Sequence, residues 1–147
     1  MRVVLQRVTQ AAVTVGERTL GAIGRGLVLL VGFAQGDTQA TVNQMVERIL
    51  TLRMFGDATG KMTRSAREVE AACLAIPEIT LVADLADGRR PNFAPALPPV
   101  EASRLFDHLV NTLKQSGLPV AHGAFQAHMA VSLVNDGPVT FILELHA

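Results

Sequence analysis

The sequence predicts a sheet-rich mixed α/β domain that carries two main helices. Most apolar residues stand in strand-like runs, and only two segments repeat apolar residues at helical spacing. The chain has 147 residues, which is the length of one ordinary core, and 49% of them are hydrophobic. We therefore expect residues 1–147 to form a single domain, without internal repeats or linkers.

Three strands are predicted at the start of the chain. Residues 2–15 carry apolar side chains at both parities, which is typical of a strand that is covered on both faces. Gly16-Glu17 supplies a turn into a short strand at 19–23. A second turn, Gly24-Arg25-Gly26, leads into 27–31, whose continuous apolar run predicts a buried central strand.

Both helices are predicted from their apolar stripes. The first covers 38–52, with Asp37 or Thr38 as its N-cap. The second follows the loop at 84–99, and Gly117 followed by Pro119 ends it. The stripe of the first helix consists of Val42, Met45, Val46, Ile49 and Leu50, and that of the second of Ala102, Leu105, Phe106, Leu109, Val110 and Leu113.

The remaining segments predict strands and one long loop. Residues 72–83 form an apolar run, broken at Pro77, that predicts a buried strand. Residues 84–99 are rich in proline and glycine and predict an ordered loop. The last third predicts two strands, Met129–Val134 and Thr140–Leu145, joined through Asn135-Asp136-Gly137-Pro138.

Composition excludes several classes of function. Thirteen basic residues balance thirteen acidic ones, so no bulk charge attracts nucleic acid. Without Trp or Tyr, a base-stacking groove for single strands is not expected. No apolar run reaches the ~18 residues of a membrane helix. The first residues lack the layout of a signal peptide, and we expect a cytoplasmic protein that does not bind membranes.

No pattern for a metal, a cofactor or a familiar nucleophile is present. The four histidines are not paired at ligand spacing, and a single cysteine, Cys73, excludes a multi-thiolate site. Cys73 lies in an apolar run, which favours a buried thiol over a nucleophile. The sequence also lacks a Gly-x-Ser-x-Gly elbow and a phosphate-binding loop.

Two segments are unusual for purely structural elements. Pro77 and Glu78 interrupt the apolar run of 72–83, which indicates either a strand end facing solvent or a functional site. Gly137-Pro138 follows Asn135-Asp136, which indicates either a hairpin turn or a rigid loop. A Gly–Pro bond can adopt the cis form, and a loop carbonyl without a neighbouring side chain could act as a steric gauge in a pocket.

These residues resemble the D-aminoacyl-tRNA deacylases, enzymes that remove mischarged D-amino acids from tRNA. The resemblance runs nearly end to end. It is carried by Met1–Val8, Gly24–Leu27, Arg53–Met62, Gly88–Phe93 and Val131–Thr140, the last of which contains the family's Gly-Pro motif.

The resemblance implies a cytoplasmic homodimer of three-layer α/β/β fold with its pocket at the subunit interface. Gly137 and Pro138 of the partner would be joined by a cis bond and supported by Arg7. Their carbonyls would face the α-carbon of the bound amino acid, where an L-side chain would clash. Phe93 and Met129 are expected to contact the substrate, the aminoacylated 3′ adenosine of tRNA. No cofactor or metal is implied.

The chain departs from the family at one signature. Where the family has Ser-Gln-Phe-Thr-Leu, this sequence has Pro77-Glu78-Ile79-Thr80-Leu81. Pro77 and Ile79 are expected to line the substrate site, and Thr80 and Glu78 are the candidate catalytic residues. Thr80 either positions the substrate, whose own 2′-hydroxyl activates the reaction in the family, or attacks the ester itself.

Glu78 replaces an amide with a group that only accepts hydrogen bonds. One alternative is that Glu78 is a liability that repels the negative charge of the tRNA, and another is that it has been recruited as a general base or to bind the substrate's amino group. In a third, its side chain points away from the pocket, into the sheet edge or solvent. The predicted function is hydrolysis of D-aminoacyl-tRNA, with glycyl-tRNA as a further candidate substrate. Two alternatives are a paralogue with altered specificity and a protein that binds an aminoacyl or nucleotide end without turnover.

Overall fold

The computed structural model describes residues 1–146 and confirms a sheet-rich mixed α/β fold with two main helices. The strands are β1 (Arg2–Val15), β2 (Arg18–Ile23), β3 (Gly26–Gly32), β4 (Arg53–Gly56), β5 (Met62–Ser65), β6 (Ala72–Pro77), β7 (Val120–His122) and β8 (Ala130–Glu144). The helices are α1 (Gln39–Thr51), a four-residue α2 (Ala66–Val69) and α3 (Pro99–Gln115), and Ile79–Val82 form a 3₁₀ turn.

Strand β1 is the centre of the sheet. Strands β2 and β3 both pair antiparallel with the same side of β1. The two pairings follow one continuous register, since Val8 faces Gly26 and Ala11 faces Ile23. Strand β8 pairs antiparallel with β1 as well, from Arg2 opposite Glu144 to Thr14 opposite Ala130. The long first strand therefore aligns elements that are far apart in the chain.

Strands β3, β6 and β7 extend the sheet in parallel pairs. Gly26 permits the closest approach in this part of the fold, because a Cβ at that position would lie 2.0 Å from the carbonyl oxygen of Ala72. The parallel pairing of β3 with β6 places the carboxyl ends of both strands at the same edge. In open α/β sheets, this edge is where ligands usually bind.

Two apolar clusters lie on opposite faces of the sheet. The cluster on the helix side joins the apolar stripes of α1 and α3 to alternate residues of the central strands, such as Leu27 and Leu29. On the other face, Val28 and Leu74 pack with residues of β1, β2 and β8, because the sheet curls over itself. The resulting order of helix, sheet and folded-back sheet agrees with the three-layer arrangement that the resemblance implied.

The helix boundaries follow from their terminal residues. Thr38 caps α1, where its side chain and that of Thr41 each accept a hydrogen bond from the other residue's backbone N–H. Pro99 occupies the first turn of α3 and Gly117 adopts φ +86° just after its end, as a residue that stops a helix does. Among residues 1–146, no helix is long and apolar enough to span a membrane.

Two sequence expectations are corrected by the structure. Residues 130–144 form one strand, not two strands joined by a hairpin, because both halves pair with β1. The strand predicted at 72–83 ends at Pro77 and continues as the 3₁₀ turn. Strands β4 and β5 pair as a hairpin around the turn at 57–61.

Candidate active site

A pocket of about 820 Å³ lies at the carboxyl ends of β3 and β6. Its walls come from these strand ends, the 3₁₀ turn, the start of α3 and the segment 125–133. Among the sequence-predicted site residues, it contains Pro77, Glu78, Ile79, Thr80 and Met129. The segment that departs from the family signature is therefore part of the pocket wall.

Pro77 ends β6 without breaking its pairing to β3. Glu78 donates its N–H to the carbonyl of Val31 at 2.7 Å, and Cys73 donates its own to Pro119 on the opposite side of β6. Backbone N–H groups along a strand alternate between its two edges, so the nitrogen of Pro77 faces the same edge of β6 as the N–H of Cys73. At Pro77 this edge lies beyond the last residue of β7. The proline consequently costs no hydrogen bond to β3.

The 3₁₀ turn packs against the end of β3 at Gly32. A Cβ on Gly32 would lie 3.0 Å from the Cβ of Leu81 and 3.1 Å from the carbonyl oxygen of Glu78. The turn is closed by the N–H of Leu81, which donates to Glu78 O at 3.3 Å. The absence of a side chain at Gly32 thus lets the turn, and with it Thr80, approach the pocket edge.

Glu78 and Thr80 form a hydrogen-bonded pair on the pocket wall. The Thr80 hydroxyl donates to Oε1 of Glu78 at 3.0 Å. Thr80 is exposed and Glu78 is half-buried. A carboxylate is a much weaker base than an alkoxide, so this contact orients the hydroxyl but does not deprotonate it. The geometry favours a positioning role for Thr80 over nucleophilic attack.

Gly137 and Pro138 form an exposed bulge in the middle of β8, and the bond between them is cis, as predicted. Residues 136–139 have no partner in the register, which runs from Asn135 opposite Val8 to Thr140 opposite Gln6. Asn135 closes the bulge, because its side chain accepts from the N–H of Val139 at 2.7 Å and donates to its carbonyl at 3.2 Å.

Arg7 lies on β1 directly opposite this bulge. Its Nε donates to the carbonyl of Asp136 at 3.0 Å, and one terminal nitrogen donates to the carbonyl of Met54 at 2.9 Å. The guanidinium also lies 3.5 Å from a carboxylate oxygen of Asp136. Arg7 therefore contacts the residue next to Gly137, and its role in supporting the Gly-Pro motif stays a prediction.

The structure does not bring all the predicted site residues into one pocket. Within residues 1–146, Arg7, Gly137 and Pro138 lie outside the pocket wall. Phe93 also lies outside it, in the loop before α3, where its side chain is exposed and its carbonyl accepts from the N–H of Ala96 at 3.0 Å. In one chain, the predicted site residues therefore lie partly in the pocket and partly on a separate bulge.

The pocket includes residues that the sequence did not single out. Phe33 follows the end of β3, and Phe125, Gln126 and His128 come from an irregular segment before β8. Gln126 has φ +58°, which is uncommon for a residue other than glycine. The apolar residues of an irregular segment show no periodicity, so the sequence carried no signal for them.

Neither a metal cluster nor a reactive thiol is part of this site. Residues 1–146 contain no group of three His, Cys, Asp or Glu side chains arranged to hold a metal ion. Cys73 is buried in β6, where desolvation raises the pKa of its thiol to about 12. Its neutral form agrees with the expected structural role.

Residues 4–144 match the family model described as D-Tyr-tRNA(Tyr) deacylase. The chain belongs to this family. The D-aminoacyl-tRNA deacylase of Alcanivorax borkumensis is 53% identical over 145 residues, which cover 99% of this chain and 100% of that protein. The D-aminoacyl-tRNA deacylase of Geobacter sulfurreducens is 49% identical over 144 residues, covering 98% of this chain and 95% of the relative.

Solved structures share the fold of this chain. The c-Myc DNA Unwinding Element Binding Protein superposes with a TM-score of 0.93 at 38% identity, and 100% of both chains is covered. A probable eukaryotic D-amino acid tRNA deacylase superposes with a TM-score of 0.87 over 98% of both chains. The second is 18% identical to this chain and supports the fold alone.

Proposed function

We propose that this protein hydrolyses the ester bond between a D-amino acid and the 3′-terminal ribose of tRNA, releasing free tRNA and the D-amino acid. The observation that carries the proposal is the 53% identity over the whole chain to a D-aminoacyl-tRNA deacylase. The reaction belongs to translation quality control, which acts on mischarged tRNA in the cytoplasm. We propose that compartment as the place of action.

The pocket suits an aminoacylated adenosine. Its volume of about 820 Å³ lies within the range of ~300–1,000 Å³ that small-ligand sites span. Phe33 and Phe125 give it apolar walls on which a base or a side chain can pack. Because only the terminal nucleotide and its ester enter the pocket, recognition needs no basic surface, in keeping with a net charge of zero.

The polar wall of the pocket fits ester hydrolysis. The N–H groups of Ile79 and Thr80 open the 3₁₀ turn, and the first N–H groups of such a turn have no partner within it. They are our candidates for oxyanion donors in the tetrahedral intermediate. In this mechanism the substrate's 2′-hydroxyl activates the attacking water, while Thr80 and Glu78 form the adjacent wall.

Selection against L-amino acids is proposed to need two subunits. Gly137 and Pro138 are exposed and lie outside the pocket of their own chain, so a second copy must supply them. Strand β8 pairs on one side only and exposes Val134, Phe141 and Ile142, which are candidates for burial between copies. The carbonyls of the partner's bulge would then meet the α-carbon of the substrate.

A deacylation panel tests the activity. The protein is incubated with D-aminoacyl-, L-aminoacyl- and glycyl-tRNA, and each rate is compared with spontaneous hydrolysis in buffer. We expect rapid loss of the D-ester and negligible loss of the L-ester. Faster hydrolysis of a small L-ester would favour the paralogue with altered specificity, and binding without turnover would favour the non-catalytic alternative.

Light scattering at micromolar concentration tests the two-subunit site. We expect the mass of a dimer, which is twice the 15.7 kDa of one chain. A monomer that still discriminates D- from L-esters would refute the shared site.

Glycyl-tRNA in the deacylation panel adds a further check. Glycine has no side chain to clash with the bulge, so its ester should be hydrolysed.

A further inference from the structure

One carboxylate lies among largely apolar side chains in the candidate pocket. Of the residues that form the described pocket wall, Glu78 is the only acidic one, and no lysine or arginine accompanies it. We propose that Glu78 binds the α-ammonium group of the aminoacyl ester, so that a free amine becomes a specificity determinant of this protein. The proposal rests on the proposed deacylase function and names the substrate group that this chain's altered signature recognises.

The structure holds Glu78 in place from two directions. Its backbone N–H donates to Val31 at 2.7 Å, which fixes the residue at the end of the sheet. Its Oε1 accepts from the Thr80 hydroxyl at 3.0 Å. Because the threonine engages Oε1, the other oxygen of the carboxylate remains available to a donor from the substrate. Thr80 is accordingly a positioning residue for this carboxylate.

Glu78 has no cationic partner among residues 1–146. The ion pairs of this part of the chain involve Asp37, Glu47, Glu68, Asp136 and Glu144. A carboxylate held beside apolar side chains is partly desolvated, which costs free energy unless a cation pairs with it. An incoming cation can offset that cost, and the half-buried position of Glu78 leaves it accessible from the pocket.

The chemistry of the substrate supplies one such cation. The α-ammonium group is the one positive charge that aminoacyl esters have in common, and it lies two bonds from the carbonyl carbon that is attacked. The nearest phosphate lies on the far side of the ribose. A carboxylate beside the ester therefore interacts more closely with the ammonium than with the phosphate, and the attraction exceeds the repulsion. This difference favours the interpretation that Glu78 binds the substrate's amino group. It disfavours the interpretation, left open by the sequence, that Glu78 only repels the tRNA.

The test compares two substrates that differ only at this group. D-phenylalanyl-tRNA carries the ammonium, and D-phenyllactyl-tRNA carries a hydroxyl in its place. Each enzymatic rate is divided by the spontaneous rate, because the amine itself activates the ester. We expect the wild-type protein to prefer the amine in kcat/KM by about tenfold, the factor of one charge-assisted hydrogen bond. Glu78→Gln should reduce the preference to within about twofold of unity, mainly through the KM of the amine substrate.

Glu78→Gln is a conservative test because glutamine keeps the side-chain length and an oxygen that accepts from Thr80. Glu17→Gln, in the exposed turn between β1 and β2, is the matched control and should keep the wild-type preference. A wild-type protein without preference overturns the proposal. So does a Glu78→Gln variant that loses both substrates equally, because Glu78 would then act in the chemistry or in folding.

A binding measurement separates this proposal from the proposed function. Calorimetry uses 3′-amino-3′-deoxyadenosine that is acylated with D-phenylalanine or D-phenyllactate, so that a non-hydrolysable 3′-amide replaces the ester. A protein that lacks deacylase activity but binds the amine form about tenfold more tightly, with a preference that Glu78→Gln abolishes, supports the ammonium site and refutes the deacylase. Equal affinity for the two compounds in an active enzyme refutes the ammonium site alone.

Discussion

The α-ammonium group of Met1 forms a buried ion pair with the carboxylate of Asp37. The nitrogen lies 3.0 Å from one carboxylate oxygen and 2.9 Å from the other, and the side chains are 0% and 1% exposed. The same nitrogen donates to the carbonyl of Leu145 at 2.8 Å, and Asp37 accepts from the N–H of Ala34 at 2.7 Å. One charged group thereby joins the start of β1, the turn before α1 and the residue after β8.

Removing the charge of Asp37 should destabilise the protein. Asp37→Asn leaves the ammonium of Met1 buried without a counter-ion, and breaking a buried pair in this way typically costs about 3–5 kcal/mol. We expect a loss of about 3 kcal/mol in the free energy of unfolding, because asparagine still accepts hydrogen bonds through its oxygen. Urea unfolding at one fixed protein concentration measures the loss.

A double change tests whether Met1 is the partner. Adding Ser-Gly before Met1 converts its ammonium into a neutral amide, which should cost a similar amount. Combined with Asp37→Asn, the two losses should be clearly less than additive, since both remove the same interaction. Glu17→Gln, at an exposed turn, serves as the control with less than about 0.5 kcal/mol of effect. Fully additive losses would contradict the pairing.

Arg7→Lys should weaken catalysis more than folding. The guanidinium reaches the carbonyls of Met54 and Asp136 at once, whereas an ammonium at the end of a lysine is a compact point charge that cannot span both. We expect the deacylation rate to fall about tenfold and the discrimination between D- and L-esters to decrease. The free energy of unfolding should fall by only about 1–2 kcal/mol. Arg18→Lys, on exposed β2, should match the wild type in both assays.

Gly137→Ala should disturb the bulge. Gly137 has φ +134°, and a Cβ there would lie 2.8 Å from Cγ2 of Val139 and 3.2 Å from a guanidinium nitrogen of Arg7. A conformation so rare for L-residues costs about 1–3 kcal/mol, and the carbonyls of the bulge must shift to admit the methyl group. We expect a dimer with strongly reduced activity in the deacylation panel.

Gly24→Ala is the matched control for that variant. A Cβ at Gly24 would meet no atom within 4 Å, and the residue does not have a positive φ. Its activity and unfolding midpoint should remain near those of the wild type. Equal activity of the two alanine variants would show that the position of the bulge does not matter to the reaction.

Cys73 should resist alkylation in the native protein. Burial raises the pKa of its thiol to about 12, and only the thiolate reacts. At pH 7.5 the thiolate fraction is then roughly 1 in 30,000. Mass spectrometry should find no adduct after iodoacetamide treatment at this pH and complete modification in urea. Rapid labelling of Cys73 in the native protein, with loss of activity, would make this thiol a candidate nucleophile.

Local patterns predicted the helices and the first three strands because their signals lie within one element. The apolar stripe of α1 and the cap at Thr38 are contiguous in sequence, and so is the continuous apolar run of β3. The Gly-Pro bulge was ambiguous for the opposite reason. Gly137-Pro138 has the composition of a hairpin turn, and only the pairing of both flanks with distant β1 shows that the strand continues.

The site was predicted in part for the same reason. Pro77, Glu78 and Thr80 were visible because they interrupt an apolar run, whereas Phe125 belongs to a segment without regular spacing. The hydrogen bond between Thr80 and Glu78 depends on the 3₁₀ turn, which an apolar run beginning as a strand does not indicate. Pro77 marked the end of β6 in the sequence, but the packing of the turn against Gly32 is a tertiary contact that no local pattern indicates.

The two halves of β8 are each anchored to β1, on either side of the bulge. A change in the length of the bulge would therefore leave both anchors in register, since neither half relies on the other for its alignment. Residues 136–139 are in this sense an insertion between two strand segments whose register is set by β1. Loops of other lengths should therefore be accepted at 136–139 without a change in the pairing of the sheet.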